Sequence, residues 1–194
     1  VDLMGVDIET NKLKPEGPVG VKSRDYIVGL VKDYVCKHAQ VVNNNDVELL
    51  FKDVDTITEK NLSPLLRILP GVKQLLEKIR QLGIEVVITS TDITSRATKA
   101  MDALGLKSYF TEIIGGDYVK NTKPAPDLAQ LALSKIGCHP SNVVVIGDHP
   151  VDMFMGIGAD IKTNIGVLNG ISKKENFSQC DCILVESLCD IDVV

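Results

Sequence analysis

Two carboxylates, Asp148 and Asp152, stand four positions apart directly after the apolar run VVVIG. Such a pattern can be a strand, a glycine turn and an acid that caps the next helix. It can equally belong to a ligand site, because polar side chains just beyond a strand end can face a bound molecule. Two further polar sites, Thr89-Ser90 and Lys123, lie beyond other apolar segments. The choice depends on whether the fold brings all of these residues together.

Short apolar segments alternate with amphipathic ones from residue 70 onward, which predicts strands alternating with helices. The predicted helices are 70–83, 95–106, 125–137 and 150–159, and the predicted strands are 84–89, 111–116, 142–147, 161–168 and 182–186. This order is typical of right-handed βαβ crossovers and predicts an α/β fold, with a parallel sheet covered by helices on both faces. Ligands bind such sheets beyond the carboxyl ends of the strands, where the polar sites are expected.

The N-terminal third follows a different pattern. Residues 1–8 predict one more strand that ends in an acid, and residues 11–22 predict a loop rich in Pro, Gly and Lys. Helical patterns then occupy 23–68, with a polar NNND break between them. We therefore expect a core domain formed by 1–10 and 69–194, with a small helical insertion over 11–68.

Composition excludes several classes of protein. The chain has 194 residues, 44% of them hydrophobic and 24% charged, which is typical of a globular protein. The net charge of −5 argues against a nucleic-acid partner, and the absence of a long apolar run argues against a membrane-spanning segment. Five cysteines, an odd number, are interpreted as reduced thiols, and we expect a cytoplasmic protein.

Three motifs occur in a specific order: VVITST (86–91), KNTKPAPD (120–127) and VIGDHPVDMFMGIGA (145–159). Together they resemble the haloacid dehalogenase-like (HAD) hydrolase superfamily, in its phosphatase and phosphoglucomutase-like branch with a helical cap. The resemblance runs from residue 69 to about 190. It implies a Rossmann-like, doubly wound parallel sheet, with the insertion as the cap.

The resemblance also implies a mechanism. An Asp at the end of the first strand attacks phosphorus, and an acid two residues later protonates the leaving group and activates water. Thr89 and Ser90 correspond to the phosphate-binding residues, and Lys123 to the lysine that neutralises the nucleophile and the phosphoryl group. Asp148 and Asp152 would join the nucleophile around Mg²⁺, the implied cofactor.

The first motif departs from the Asp-x-Asp-Gly-Thr pattern of the superfamily and leaves two registers open. In the first register Asp2 is the nucleophile. Met4 would then occupy the acid/base position, although a thioether cannot transfer protons.

In the second register Asp7 is the nucleophile and a metal ligand, Glu9 is the acid/base, and Thr10-Asn11 replaces Gly-Thr. We favour Asp7, because a predicted strand of usable length precedes it. Glu9 is one methylene longer than the usual acid, and the missing glycine removes a permissive backbone position.

The leading hypothesis is a Mg²⁺-dependent phosphatase that acts on a small phosphorylated metabolite through an aspartyl-phosphate. Phosphomutases share these motifs, whereas a dehalogenase would not need the metal-binding acids. The alternative is a catalytically impaired relative with a binding or regulatory role, a hypothesis supported by the unusual acid/base position. We expect neither a nucleic-acid nor a membrane partner.

Overall fold

The computed structural model describes residues 2–10, 12–38 and 44–193, apart from the side chains of Asp2, Asn44 and Glu59. Asn11, the last residue of the second register, therefore lies outside the described residues. Helices are α1 Arg24–His38, α2 Asn44–Lys60, α3 Leu62–Leu65, α4 Val72–Gln81, α5 Thr94–Ala103, α6 Asp127–Ile136 and α7 Pro150–Gly158. Strands are β1 Val6–Asp7, β2 Lys12–Leu13, β3 Val87–Thr89, β4 Glu112–Ile114, β5 Val144–Gly147, β6 Thr163–Val167 and β7 Ile183–Val185.

The strands from β3 onward are parallel and alternate with helices, as the sequence predicts for a Rossmann-like α/β fold. They form two hydrogen-bonded groups, one with β3 beside β4 and the other in the order β5-β6-β7. In the second group, Gly147 at the end of β5 is opposite Gly166 of β6. The carboxyl ends of these strands point the same way, so the loops after them lie at one edge of each sheet.

One hydrophobic core joins the two groups of strands. Leu128 of α6 and Met155 of α7 are buried in it together with Ile114 of β4. Val87 of β3 and Val145 of β5 pack against the same cluster. α6 and α7 therefore pack against strands of both groups through one core, although β3 and β5 are not paired.

The helix ends follow local chemistry. α6 ends at Gly137, whose φ of 63° is the left-handed conformation that glycine adopts without a Cβ clash. α4 begins at Val72, two residues after the predicted start at Pro70, and buries Leu75 and Leu76.

The predicted strand over residues 1–8 is wrong. Residues Asp2–Met4 form a 3₁₀ helix, and β1 pairs antiparallel with β2 in a short hairpin instead of joining the parallel strands. The physical reason is Gly5, whose φ of 68° interrupts an extended chain and whose Cα packs directly against Gly17. β2 also places a strand inside the predicted loop 11–22.

α1 and α2 pack against each other, and α3 packs against α5 of the α/β part. We call α1–α3 the helical segment. It lies within the predicted insertion over 11–68, and the division into two domains at those boundaries stays a prediction. Across the described parts of the chain, no helix is long and apolar enough to cross a membrane.

Candidate active site

Lys123 links two of the predicted polar sites. Its ammonium donates one hydrogen bond to the carbonyl oxygen of Thr89, at 2.7 Å, and another to Oδ1 of Asp152, also at 2.7 Å. The side chains of Lys123 and Asp152 are only 11% and 12% exposed. An ammonium group has three donors, and within the described structure the third has no protein acceptor and is available to a ligand. The loop between β4 and α6 thus places a cation between the ends of β3 and β5.

Asp152 combines two roles in the structure. Its Oδ2 accepts a hydrogen bond from the backbone N–H of His149, at 3.2 Å, as part of the capping box that begins α7. Its Oδ1 is the partner of Lys123. A Cβ at Gly147 would lie 2.5 Å from the Asp152 side chain, so a glycine is needed at this strand end. Both carboxylate oxygens of Asp152 therefore accept a hydrogen bond from the protein.

Asp148 is held differently. Its Oδ2 accepts a hydrogen bond from the backbone N–H of Ile171, at 2.9 Å, and Gly170 packs closely against the carboxylate. Its Oδ1 accepts no hydrogen bond from the described residues. The nearby hydroxyl of Ser172 is buried and likewise without a partner among them. Asp148 thus presents one uncommitted carboxylate oxygen at the end of β5.

The hydroxyls of Thr89, the last residue of β3, and of Ser90, the residue after it, make different contacts. The Thr89 hydroxyl is 3.9 Å from Sδ of Met155, so it faces the core, while its carbonyl oxygen accepts from Lys123. The Ser90 hydroxyl accepts a hydrogen bond from the N–H of Asp92, at 3.1 Å, and keeps its own proton to donate. In the described structure the N–H of Thr91 has no partner. Ser90 and Thr91 therefore supply two donors for an anion.

Among the described residues, the N-terminal candidates Asp7 and Glu9 have no hydrogen bond to this cluster. Asp7 is half-buried on the hairpin, where its Oδ1 accepts hydrogen bonds from the backbone N–H groups of Glu9, at 2.9 Å, and Thr10, at 3.1 Å. Hydrogen bonds from Thr10, and then from Glu9, hold the pKa of Asp7 below its ordinary value. In the described structure, the hydrogen-bond partners of the Asp7 carboxylate are therefore its own neighbours in the sequence.

The structure therefore assembles only part of the predicted set. Among the residues it describes, no group of three or more His, Cys, Asp or Glu side chains is arranged to hold a metal ion. The predicted trio of Asp7, Asp148 and Asp152 does not form such a group: Asp7 accepts hydrogen bonds from Glu9 and Thr10, and Asp152 pairs with Lys123. The side chain of Asp2 lies outside the described part of the chain.

A contact between the N-terminal region and this cluster was not predicted. His149 Nε2 is 2.8 Å from the carbonyl oxygen of Pro15, and the N–H of Val19 donates to the carbonyl oxygen of Met4 at 3.4 Å. The loop over 14–19 thus touches both the start of the chain and the residue after Asp148. Sequence reasoning also missed the loop after β6 that holds Asp148, although the Asn-Gly pair at 169–170 signals a tight turn there.

The family model of the haloacid dehalogenase-like hydrolases matches residues 10–165 of the chain. The chain belongs to this family, as its motifs predict. Phosphatases of the family generally use a divalent metal.

Curated relatives add the names of known activities. A pyrophosphatase PpaX from Bacillus velezensis is 30% identical over 92 residues, which are 47% of this chain and 43% of the relative. A phosphorylated carbohydrates phosphatase from Thermotoga maritima is 28% identical over 128 residues, or 66% of this chain and 59% of the relative. The chain thus spans about half the length of the curated relatives it matches.

Solved structures confirm the fold. A protein described as a predicted phosphoglycolate phosphatase, from Haemophilus somnus, superposes with a TM-score of 0.76 and 22% identity, covering 88% of this chain and 76% of that one. A beta-phosphoglucomutase from Clostridium difficile superposes with a TM-score of 0.75 and 19% identity, covering 96% and 78%. Both support the Rossmann-like α/β fold with a helical cap.

Proposed function

We propose that the chain hydrolyses phosphate monoesters of small metabolites with the help of Mg²⁺. The observation that carries this proposal is the Lys123 ammonium, held between the Thr89 carbonyl and the Asp152 carboxylate with one donor to spare. A largely buried, fixed cation is suited to an anionic substrate, because it needs no reorganisation when negative charge develops. The curated relatives named as a pyrophosphatase and a phosphorylated carbohydrates phosphatase both support hydrolysis of phosphoryl groups, and the second supports a phosphate monoester as the substrate.

The phosphate group would be held by donors at the end of β3. Ser90 has a hydroxyl proton to donate, and Thr91 has an N–H group without a partner among the described residues. Together with the third donor of Lys123 they would contact separate phosphoryl oxygens. Thr89 contributes through its carbonyl, which orients Lys123, rather than through the hydroxyl that the resemblance implies.

The Mg²⁺ ion would be bound at Asp148. The donor set fits this ion, because Mg²⁺ in phosphoryl-transfer sites takes one or two carboxylates and completes its shell with water and phosphate oxygens. Oδ1 of Asp148 has no partner among the described residues and Oδ2 is fixed by the Ile171 N–H, whereas both oxygens of Asp152 already accept hydrogen bonds. When bound, Mg²⁺ polarises the phosphoryl oxygens and neutralises their charge. Asp152 would then act chiefly by orienting Lys123.

The nucleophile would come from the N-terminal segment, with Asp7 and Asp2 as the two candidates. One carboxylate oxygen attacks phosphorus, the bond from phosphorus to the ester oxygen breaks, and the leaving alcohol takes up a proton. Water then hydrolyses the aspartyl-phosphate and releases inorganic phosphate. In the Asp7 register, Glu9 donates the first proton and accepts one from the attacking water.

The helical segment would act as the cap that selects the substrate. Its helix α3 packs against α5, whose N-terminus follows the loop that carries Ser90. A cap in this place would face the carboxyl ends of the strands, where ligands of α/β folds bind. We propose a cytoplasmic location, in keeping with small phosphorylated substrates and with five cysteines that are free of disulfides in the described structure.

Asp2→Asn and Asp7→Asn test the proposal through hydrolysis of p-nitrophenyl phosphate with Mg²⁺ or with a chelator. We expect hydrolysis by the unmodified chain only with the metal. The variant that lacks the nucleophile should lose at least about a thousandfold in turnover, because no aspartyl-phosphate can form. Turnover of the other variant should change little, since both substitutions keep the shape of the side chain.

Acid-quenched protein should carry covalent phosphate, detected by mass spectrometry, in the unmodified chain and in the variant that stays active. Glu112→Gln is a suitable control, because Glu112 pairs with Lys135 on the surface of the α/β part. Hydrolysis that persists in the chelator, or in both Asn variants, would contradict the proposed reaction.

A further inference from the structure

The carboxylate of Asp55, on α2, binds two guanidinium groups from different parts of the fold. Arg24 of α1 donates to its Oδ2, and Arg96 of α5 donates to its Oδ1 at 2.8 Å. Arg24 belongs to the helical segment, as Asp55 does, whereas Arg96 belongs to the α/β part. Asp55 therefore forms an ion pair across the junction between these two parts of the chain.

Arg96 carries this connection into the loop after β3. Its Nε is 3.3 Å from Oδ2 of Asp92, which lies four residues earlier. The backbone N–H of Asp92 donates to the Ser90 hydroxyl at 3.1 Å. A continuous series of polar contacts thus runs from Asp55 through Arg96 and Asp92 to Ser90, one of the donors assigned to phosphate.

Partial burial and additional contacts fix the side chains around Asp55 in one geometry. The side chains of Arg24, Asp55 and Arg96 are 20%, 24% and 27% exposed, so solvent screens them less than an ordinary surface pair. Arg24 also donates to the carbonyl oxygen of Phe51, at 3.1 Å, and lies 4.6 Å from the centre of the Phe51 ring. A guanidinium held by stacking and by hydrogen bonds loses little further freedom in each contact.

We propose that Asp55 is a positioning residue that fixes the helical segment against α5 and, through Arg96 and Asp92, sets the place of the Ser90 hydroxyl. The part that concerns phosphate rests on the proposed function. The coupling between α2 and the loop over 90–94 does not depend on the proposed function. Without the Asp55 charge, the guanidinium groups of Arg24 and Arg96 would repel each other, and the junction would open.

Asp55→Asn tests this role by hydrogen exchange and by kinetics. The amides of α2 and of residues 90–96 should exchange about tenfold faster, which is the effect of losing one charge-assisted hydrogen bond from the closed junction. KM for p-nitrophenyl phosphate should rise about tenfold, with kcat changed far less, because the reacting groups remain in place. Asp55→Glu, which keeps the charge, should show only part of the faster exchange and part of the rise in KM.

Glu48→Gln is the matched control, because Glu48 pairs with Lys32 inside the helical segment and, among the described residues, makes no hydrogen bond or ion pair with α5. It should leave the exchange of residues 90–96 and KM unchanged. Arg96→Met removes the same ion pair from the α/β side and should reproduce the Asp55→Asn result. Because it changes a different residue, it still tests the role if Asp55→Asn fails to fold.

Unchanged exchange over 90–96 in both Asp55→Asn and Arg96→Met would overturn the positioning role, even if α2 alone became less protected. Hydrogen exchange needs no turnover. A chain that failed to hydrolyse phosphate esters would therefore contradict the proposed function, while the exchange data still supported or overturned the coupling.

Discussion

Replacing Lys123 by methionine is expected to reduce turnover of a phosphate ester by about a hundredfold to a thousandfold, the usual effect of removing a preorganised electrostatic group. The same change should destabilise the fold by about 3–5 kcal/mol, because it leaves the Asp152 carboxylate nearly buried without its partner. Initial rates with p-nitrophenyl phosphate and urea unfolding would measure the two effects separately.

The matched control for this change is Lys135→Met. Lys135 pairs with Glu112 at 3.2 Å, with side chains 36% and 38% exposed, so its loss should cost less than about 1 kcal/mol and leave turnover unchanged. Lys123→Arg should keep the charge but not the geometry, and should recover more stability than activity. Equal activity in Lys123→Met and Lys135→Met would show that Lys123 lies outside the reacting site.

Replacing Asp148 by asparagine is expected to abolish activation by Mg²⁺ and to lower turnover by about a hundredfold or more, since the metal supplies several kcal/mol of charge stabilisation. Stability should change little, because an amide oxygen can still accept the Ile171 N–H. A titration of turnover against Mg²⁺ concentration would separate weaker metal binding from a lower maximal rate.

Asp160→Asn provides the comparison for that titration. Asp160 is exposed just after α7 and has a φ of 61°, a conformation that asparagine also adopts readily. Its Mg²⁺ dependence should equal that of the unmodified chain. A normal Mg²⁺ response in Asp148→Asn would place the metal elsewhere and refute the role given to Asp148.

Sequence reasoning located the helices and strands of the α/β part well, because their signals are local. In α6 the amphipathic pattern and the terminal Gly137 are both visible in the sequence, and the helix ends where they predict. The error at residues 1–8 has the opposite origin. VDLMGVDI has apolar residues suited to a strand, but the turn at Gly5 depends on close contact with Gly17, which no local pattern reveals.

The sequence predicted which residues belong to the site better than it predicted which of them contact each other. The motifs pointed to Lys123 and Asp152, and the structure brings these two side chains together. The pairing itself depends on two loops that meet only in the folded chain. The same is true of Asp55 and Arg96, which are 41 residues apart and carry no motif. Charged residues on predicted helices are ordinarily solvated, so nothing in the sequence distinguished these from their neighbours.

Phosphorus-31 relaxation of inorganic phosphate, with Mn²⁺ in place of Mg²⁺, tests most directly whether one site holds both the metal ion and the phosphoryl group. A paramagnetic ion beside bound phosphate shortens the relaxation time of the phosphorus nucleus. We expect strong relaxation with the unmodified chain and its loss in both Asp148→Asn and Lys123→Met. Relaxation that stays the same in both variants would contradict the shared site.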